Sequence, residues 1–333
     1  MISPRLTAVL VSRTGLRESG PVLENLLGQT LARDLEVILV APRGIVSVGD
    51  LAGFGGFESI RLLELERVVN RGEAAAHGLL LARAPFASPR ENHSFPSPDA
   101  LERVIQDWHP DDAAVAPTVR SANPETRRSL AMYLAAYGPA AAPADPAPRD
   151  TLPHHNAIFR SDLLREIGDR LPELMSDENR LHAELQRRGF RLRLRPDAVI
   201  WHVNEARWSR AVTDPFMLGL AFGASRGVQW PLAKRLLGAL GAPIIAVLRL
   251  KGLVQLGRRA EDTRHRIWWL APMLGLTALM AALGEAWGYL RPGTPIPDHV
   301  EAHEFHLRGR LAGVLPASPW LRDIVARLPA DLE

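Results

Sequence analysis

Short, continuously apolar runs alternate with helix-forming stretches through the first 65 residues, and this alternation constrains the fold more than any other feature. Residues 7–12 form one such run; Gly15 and Gly20 break it, and Val22, Leu23, Leu26 and Leu27 then recur at helical spacing. Residues 36–40 and 60–65 supply a second and a third buried strand. Strands that are apolar on both faces and separated by helices form a parallel sheet covered on each side, so the fold class is α/β. Ligands of such sheets lie beyond the carboxyl ends of the strands. The polar residues that follow each strand are therefore the candidates for chemistry.

Further along, residues 71–84 are rich in Ala and Leu and read as a helix. Ser97 reads as an N-cap with Pro98 at the first helical position, opening a helix to about Trp108. Between a short strand and that helix lies a loop carrying Glu91-Asn92-His93. Residues 113–118 are a further strand, while 138–148, almost entirely Ala and Pro, read as an extended surface loop. Residues 156–160 then read as a strand, 161–167 as a short helix and 177–188 as a longer helix stopped by Gly189. Residues 191–195 and 198–202 read as two closing strands. Beyond 205 the chain becomes helical and rich in Trp, so the expected division is a 1–205 domain and a 206–333 helical region.

Composition narrows the function classes. A chain of 333 residues, 47% of them apolar, can bury a full α/β core and carry a smaller module. Forty Lys and Arg against 37 Asp and Glu give a net charge of only +3, and no nucleic-acid recognition motif is present. The absence of cysteine removes disulfides, thiolate catalysis and zinc–thiolate sites. The first apolar run, six residues from Leu6 to Val11, is shorter than a secretory core and reads as a strand, with the catalytic part expected in the cytoplasm.

Four short patterns occur in order: Asn70-Arg71-Gly72, Glu91-Asn92-His93, Asp177-Glu178 and Trp201-His202. Pro98-Asp99-Ala100-Leu101 follows the second, and Glu178 leads Leu181, Leu185 and Gly189. This skeleton resembles that of inverting nucleotide-sugar glycosyltransferases of family 2, which place Pro-Asp-x-Leu after an Asp-x-Asp motif. It is closest to a subgroup with Glu-Asp-His in place of Asp-x-Asp. Here Asn92 stands at the centre, and the later acid pair is reversed to Asp before Glu. The resemblance covers roughly residues 5–205 and implies a GT-A fold: a Rossmann-like, mostly parallel sheet covered by helices, with a helical C-terminal extension.

The resemblance also implies roles. Glu91, His93 and His202 would hold a divalent cation, Mn2+ or Mg2+, with His93 and Glu91 facing one ion or dividing between ion and sugar. Ser12, Arg71, Glu91 and Asn92 would meet the nucleotide-sugar donor; the guanidinium of Arg71 and the helix start at Gly72 suit a phosphate. Glu178 would be the general base, its pKa raised by partial burial toward a useful value. His154, His155 and Asn156 precede Phe159-Arg160, matching the family's acceptor-side segment, and either histidine is open to contact acceptor or donor.

In the C-terminal third, Ile267 to Gly284 are eighteen uncharged residues that begin Ile-Trp-Trp, the lower bound for a membrane span. Leu236 to Leu248 is a second apolar stretch, flanked by Lys234, Arg235, Arg249 and Lys251. Basic flanks and tryptophans favour helices lying on or dipping into the cytoplasmic leaflet, and a buried hairpin or a dimer contact is the alternative. The expected activity is transfer of a sugar from a nucleotide-sugar donor to a saccharide or lipid-linked acceptor hydroxyl, in surface glycan or lipid-linked saccharide synthesis. A degenerate relative that binds a nucleotide sugar or a membrane partner without turnover is the rival reading. A nucleotidyltransferase is disfavoured, because no Gly-rich phosphate loop with a partnered lysine follows the first strand.

Overall fold

The run Leu-Thr-Ala-Val-Leu-Val has no polar face, and it forms β1 (Leu6–Val11), buried along its whole length. The structure, a computed structural model, describes residues 3–294, 307–314, 316 and 318–327. The described residues divide into two compact units, the first comprising 3–120, 142–202 and 327 and the second 121–141 and those between 203 and 326. Residues 121–141 thus cluster with the helical region rather than with the strands around them in sequence.

The first unit is built on one mixed sheet of eight strands covered by helices. After β1 come β2 (Leu35–Pro42), β3 (Ser59–Leu65), β4 (Phe86–Arg90), β5 (Ser94–Pro96), β6 (Asp112–Ser121), β7 (Ile158–Arg160) and β8 (Arg191–His202), in the spatial order β3-β2-β1-β4-β7-β6-β8-β5. The half from β3 to β4 is parallel, as the opening alternation predicts. The pairs β4–β7, β6–β7 and β5–β8 are antiparallel. Helix α1 (Leu16–Leu27) follows β1 and α2 (Arg71–Leu80) follows β3. Gly78 of α2 lets the helix sit against the sheet, since a Cβ there would lie 2.5 Å from a methyl of Val9.

Several boundaries differ from the sequence expectation for local reasons. Helix α3 (Ala100–Gln106) starts later than Ser97, because the Ser97 N–H still bonds to the Val199 carbonyl and the Pro98 carbonyl accepts from Thr30. Instead of two closing strands, β8 is continuous through Pro196. Its neighbour β5 reaches only Ile200–His202, so that edge is uncovered at the proline, where a residue without an N–H is tolerated. The short helix α5 (Ser161–Ile167) has the expected bounds; α6 (Leu171–Met175) and α7 (Glu178–Arg187) follow, α7 capped by Asp177, whose carboxylate accepts from the Asn179 N–H.

The second unit is helical: α4 (Arg127–Tyr137), α8 (Trp208–Val228), α9 (Leu232–Leu240), α10 (Ala242–Arg259) and α11 (Ile267–Leu290). Helix α8 and helix α11 meet along a seam of glycines. A Cβ on Gly219, Gly223, Gly284 or Gly288 would come within 2.3 Å of a backbone atom of the opposite helix. Helix α11 is long and apolar enough to cross a membrane, yet 44% of its most apolar window is buried within the protein. Its one acid, Glu285, is buried and bonded to Arg249 of α10 and Tyr289. Helices α9 and α10 meet at a bend of 59°, and α9 has no buried residue.

Candidate functional site

The antiparallel register of β4 and β7 assembles the site. Phe86 pairs with Arg160 and Ala87 with Phe159, and beyond the strand ends the Asn156 amide donates to Glu91. The Ser88 hydroxyl bonds to the Ala157 carbonyl, holding the two segments together just before that point. From the other side of the sheet, the pairing of Ser94 with His202 brings the end of β8 beside the loop after β4. Residues separated by more than a hundred positions in sequence thereby meet beyond the carboxyl end of β4.

At the centre is the carboxylate of Glu91, buried with Asn92, His93 and His202. Its Oε2 accepts from the Ser94 hydroxyl at 2.7 Å and the Asn156 amide at 3.0 Å, and lies 3.5 Å from Nε2 of His202. Oε1 lies 3.8 Å from Nε2 of His93 and 3.6 Å from the Arg71 guanidinium, itself buried. Burial alone would favour the protonated acid, but the charges of His93, His202 and His155 outweigh it and hold Glu91 well below the usual carboxylate range.

Glu91, His93 and His202 offer ligand atoms that all lie within 4.8 Å of one another. Atoms grouped this closely, with Nε2 of His93 and of His202 at 3.8 and 3.5 Å from the Glu91 oxygens, suit three donors around one ion. The Oδ1 of Asn92 is 2.9 Å from Nδ1 of His93. A proton on that nitrogen leaves the Nε2 lone pair toward Glu91, as a metal-ligating histidine requires. Two imidazoles and one carboxylate can hold a divalent transition metal, and the imidazoles favour Mn2+ over Mg2+. The Asn92 amide oxygen thus faces the His93 ring.

A second carboxylate, Glu178 at the start of α7, is closed by one residue. The backbone N–H of His155 reaches both its oxygens, at 2.9 and 3.1 Å, and Nδ1 of the same residue lies 2.7 Å from Oε1. His155 manages both contacts in the left-handed region, with φ of 56°, which is uncommon for a residue with a side chain. Burial pushes the Glu178 pKa up, but the charge and hydrogen bond of His155 prevail, helped by His154 and His182, and bring it down to about 2. The sequence expectation of a raised value is thus reversed, since burial here comes with a cationic partner. His155 shifts the other way: burial disfavours its charge, while Glu178, and after it Glu91, raise its pKa.

The other expected residues fall as follows. Asn156, expected on the acceptor side, bonds to Glu91 and Ser94. His154 stands 6.2 Å from the rings of both His155 and His182. Ser12 is buried and donates its hydroxyl to the Gly15 carbonyl. A cleft of about 320 Å3 opens instead at Thr14, Gly15, Leu16, Arg17, Ile45 and Asp50, beyond the ends of β1 and β2. Gly72 is required by packing, because a Cβ there would meet the Met175 carbonyl at 1.8 Å. Three residues escape sequence reasoning. Ser94 bonds to Glu91, His182 stacks on Phe159 with its pKa pushed down to about 4 by burial, and Arg90 is fully buried beside Glu91 with its pKa lowered to about 10 by burial. Ser94, three residues after Glu91, is the only one whose spacing hints at its place.

No family model matches this sequence, and no curated protein matches it. Among solved structures, the chain is similar to the mannosyltransferase PcManGT from Pyrobaculum calidifontis in complex with GDP-Man and Mn2+. That match has 17% identity and a TM-score of 0.47, and covers 98% of this chain and 85% of the other. It is also similar to residues 1–349 of TarS from S. aureus in complex with UDP, at 11% identity and a TM-score of 0.46, covering 84% and 90%. GalNAc-T7 with UDP, GalNAc and Mn2+ matches at 11% identity and a TM-score of 0.44, over 60% of this chain and 44% of that one. None of these scores reaches 0.5, and the functional reading stands on this chain's own residues.

Proposed function

We propose that the chain is an inverting glycosyltransferase of the GT-A type, akin to family 2, that moves a sugar from a nucleotide donor to an acceptor hydroxyl. The observation that carries this reading is the convergence of Glu91, His93 and His202, able to hold one ion, with a Glu178–His155 pair next to Asn156, which bonds to Glu91. A divalent cation held there would offset the charge of a departing nucleoside diphosphate. Arg71, 3.6 Å from Glu91, adds a fixed positive charge for the same phosphates. The cleft at Thr14–Arg17 and Asp50 is placed to take the nucleoside, beyond the neighbouring parallel strands. The Glu178–His155 pair supplies the base that an inverting displacement needs on the acceptor side.

The acceptor is a saccharide or a lipid-linked one at the cytoplasmic face of a membrane. Support comes from α9 and α10, where Leu237, Leu240, Ile244, Val247 and Leu248 are exposed, Leu240 to 80%. Residues 229–260 carry six Lys and Arg and no acid. Trp230 lies between Lys234 and Arg226, 4.3 and 5.1 Å from its ring, and Arg258 stacks on Trp268 at 5.5 Å. Amphipathic aromatic rings beside cations suit the headgroup level of an anionic leaflet. The bent α9–α10 pair lies in the plane of that leaflet. Leu240→Glu combined with Ile244→Glu should abolish co-sedimentation with phosphatidylglycerol vesicles; retained binding would refute this placement.

The transferase reading is tested by thermal shift against UDP-, GDP- and dTDP-sugars, each with Mn2+, with Mg2+ and with chelator. One nucleotide class should stabilise the protein only when metal is present, by an amount set by its concentration over Kd. The absence of a shift with every nucleotide would refute the reading and favour a partner-binding protein without turnover.

A further inference from the structure

We infer that His155, not Glu178, takes the proton from the acceptor hydroxyl, and that Glu178 acts through it as a positioning residue. This rests on the transferase reading and assigns a role within the same site. The Glu178 side chain has 0% exposure, and both of its oxygens accept hydrogen bonds from the His155 main chain. A hydroxyl has no approach to it. The His155 side chain keeps 21% exposure; its Nδ1 is buried against Oε1, so the far edge of the ring carries Nε2. A carboxylate that fixes one ring nitrogen makes the other a stronger and better oriented base, the logic by which an acid orients a catalytic histidine. The strained φ of His155 is the backbone conformation that brings its N–H and its ring onto the same carboxylate, and strain of this kind gathers at functional positions.

Asn156, the next residue, donates to Glu91, and the Glu91 charge acts on the His155 ring, so the ring lies beside the proposed donor site. Nε2 accepts the hydroxyl proton while the acceptor oxygen forms its bond to the anomeric carbon. The bond from that carbon to the diphosphate oxygen breaks, and its electron pair leaves with the nucleoside diphosphate. The proton on Nδ1 stays on the ring, 2.7 Å from Oε1 of Glu178. The charged and titratable groups around His155 are Glu178, Glu91, Arg71 and His154, with His182 facing Glu178 from α7. The two acids support the protonated ring that this step creates.

The test uses the full chain, Mn2+ and the nucleotide sugar that stabilises it, and follows release of nucleoside diphosphate with water as acceptor. His155→Gly suits the left-handed backbone and leaves a ring-sized space. It should lower kcat by about 10²- to 10⁴-fold with little change in donor KM, and added imidazole should restore much of the loss. Glu178→Gln should lower kcat without imidazole rescue. It should also move the acid limb of the kcat profile to lower pH, because the ring loses the negative charge that raises its pKa. If wild-type protein turns over and His155→Gly retains its kcat, or is not rescued, this assignment is overturned while the transferase reading stands. If wild-type protein releases no nucleoside diphosphate, both are overturned.

Discussion

Glu91 and Glu178 are both buried carboxylates held ionised by cationic neighbours, and they differ in how tightly those neighbours close. Arg71, His93 and His202 come from three parts of the chain and lie 3.5 to 3.8 Å from Glu91. Glu178 is wrapped by one residue, with every contact at 3.1 Å or less. A carboxylate with loose positive neighbours retains capacity for a further positive charge. One that a single histidine has closed can only orient that histidine. Burial, ionisation and an acid near a histidine are common to both, so residue type alone does not separate the ion ligand proposed at Glu91 from the orienting group proposed at Glu178; spacing is what distinguishes them.

The comparison is open to direct attack, and Glu91→Gln carries the largest expected effect. Mn2+ affinity, read by calorimetry, should fall by more than about a hundredfold, and transfer with it. Retained affinity would make Glu91 the structural carboxylate of the two. For Glu178→Gln the pattern should invert, with Mn2+ affinity kept and stability reduced. A pKa brought from 4.5 to about 2 corresponds to roughly 3 kcal/mol at neutral pH. Because that pKa is depressed, its contribution is present above 4.5 and disappears as pH falls toward 2. His155, raised above 6.5, contributes below that value and loses its share as pH rises through its folded pKa. Chemical denaturation across pH should therefore show a stabilising window between about pH 4.5 and 6.5 that Glu178→Gln flattens. Asn92→Leu should weaken Mn2+ binding by about ten- to a hundredfold through the misoriented His93 ring, whereas Asn92→Asp should keep it. The smallest change is expected from Ser94→Ala, about 1 kcal/mol in unfolding free energy with little change in metal affinity.

The sequence made the sheet legible where burial is two-sided. The apolar runs of β1 and β2 are buried on both faces and read as parallel strands, while β3, at the edge, is only half-buried. It also made legible that Glu91, His93 and His202 belong together, since each follows or ends a strand. The antiparallel second half was hidden, because β5 and β7 are three residues each and their direction depends on pairing partners far away in the chain. The choice between His154 and His155 was hidden too. Which of them meets Glu178 depends on a left-handed backbone at 155, and neither neighbouring residue type announces it. The pKa of Glu178 was misread because burial was visible in the Leu181 and Leu185 spacing, and the histidine facing it was not. In the second unit, two apolar stretches were clear from composition. Helix α8 was not marked out by itself, since Pro215 and its glycines look like helix breakers until α11 lies against them.

Those glycines make the pair mutationally brittle. Every single-base change of a glycine codon that alters the amino acid adds at least a Cβ, and at 219, 223, 284 and 288 that atom has no room. Rearrangement to another rotamer offers no escape, because the obstacle is main chain. Sliding one helix along the other by a single residue would put side chains such as Leu220 where a hydrogen now sits. Helices α8 and α11 consequently have one register, and lineages that carry this chain should diverge at the exposed leucines of α9 and α10 well before they diverge at these four positions.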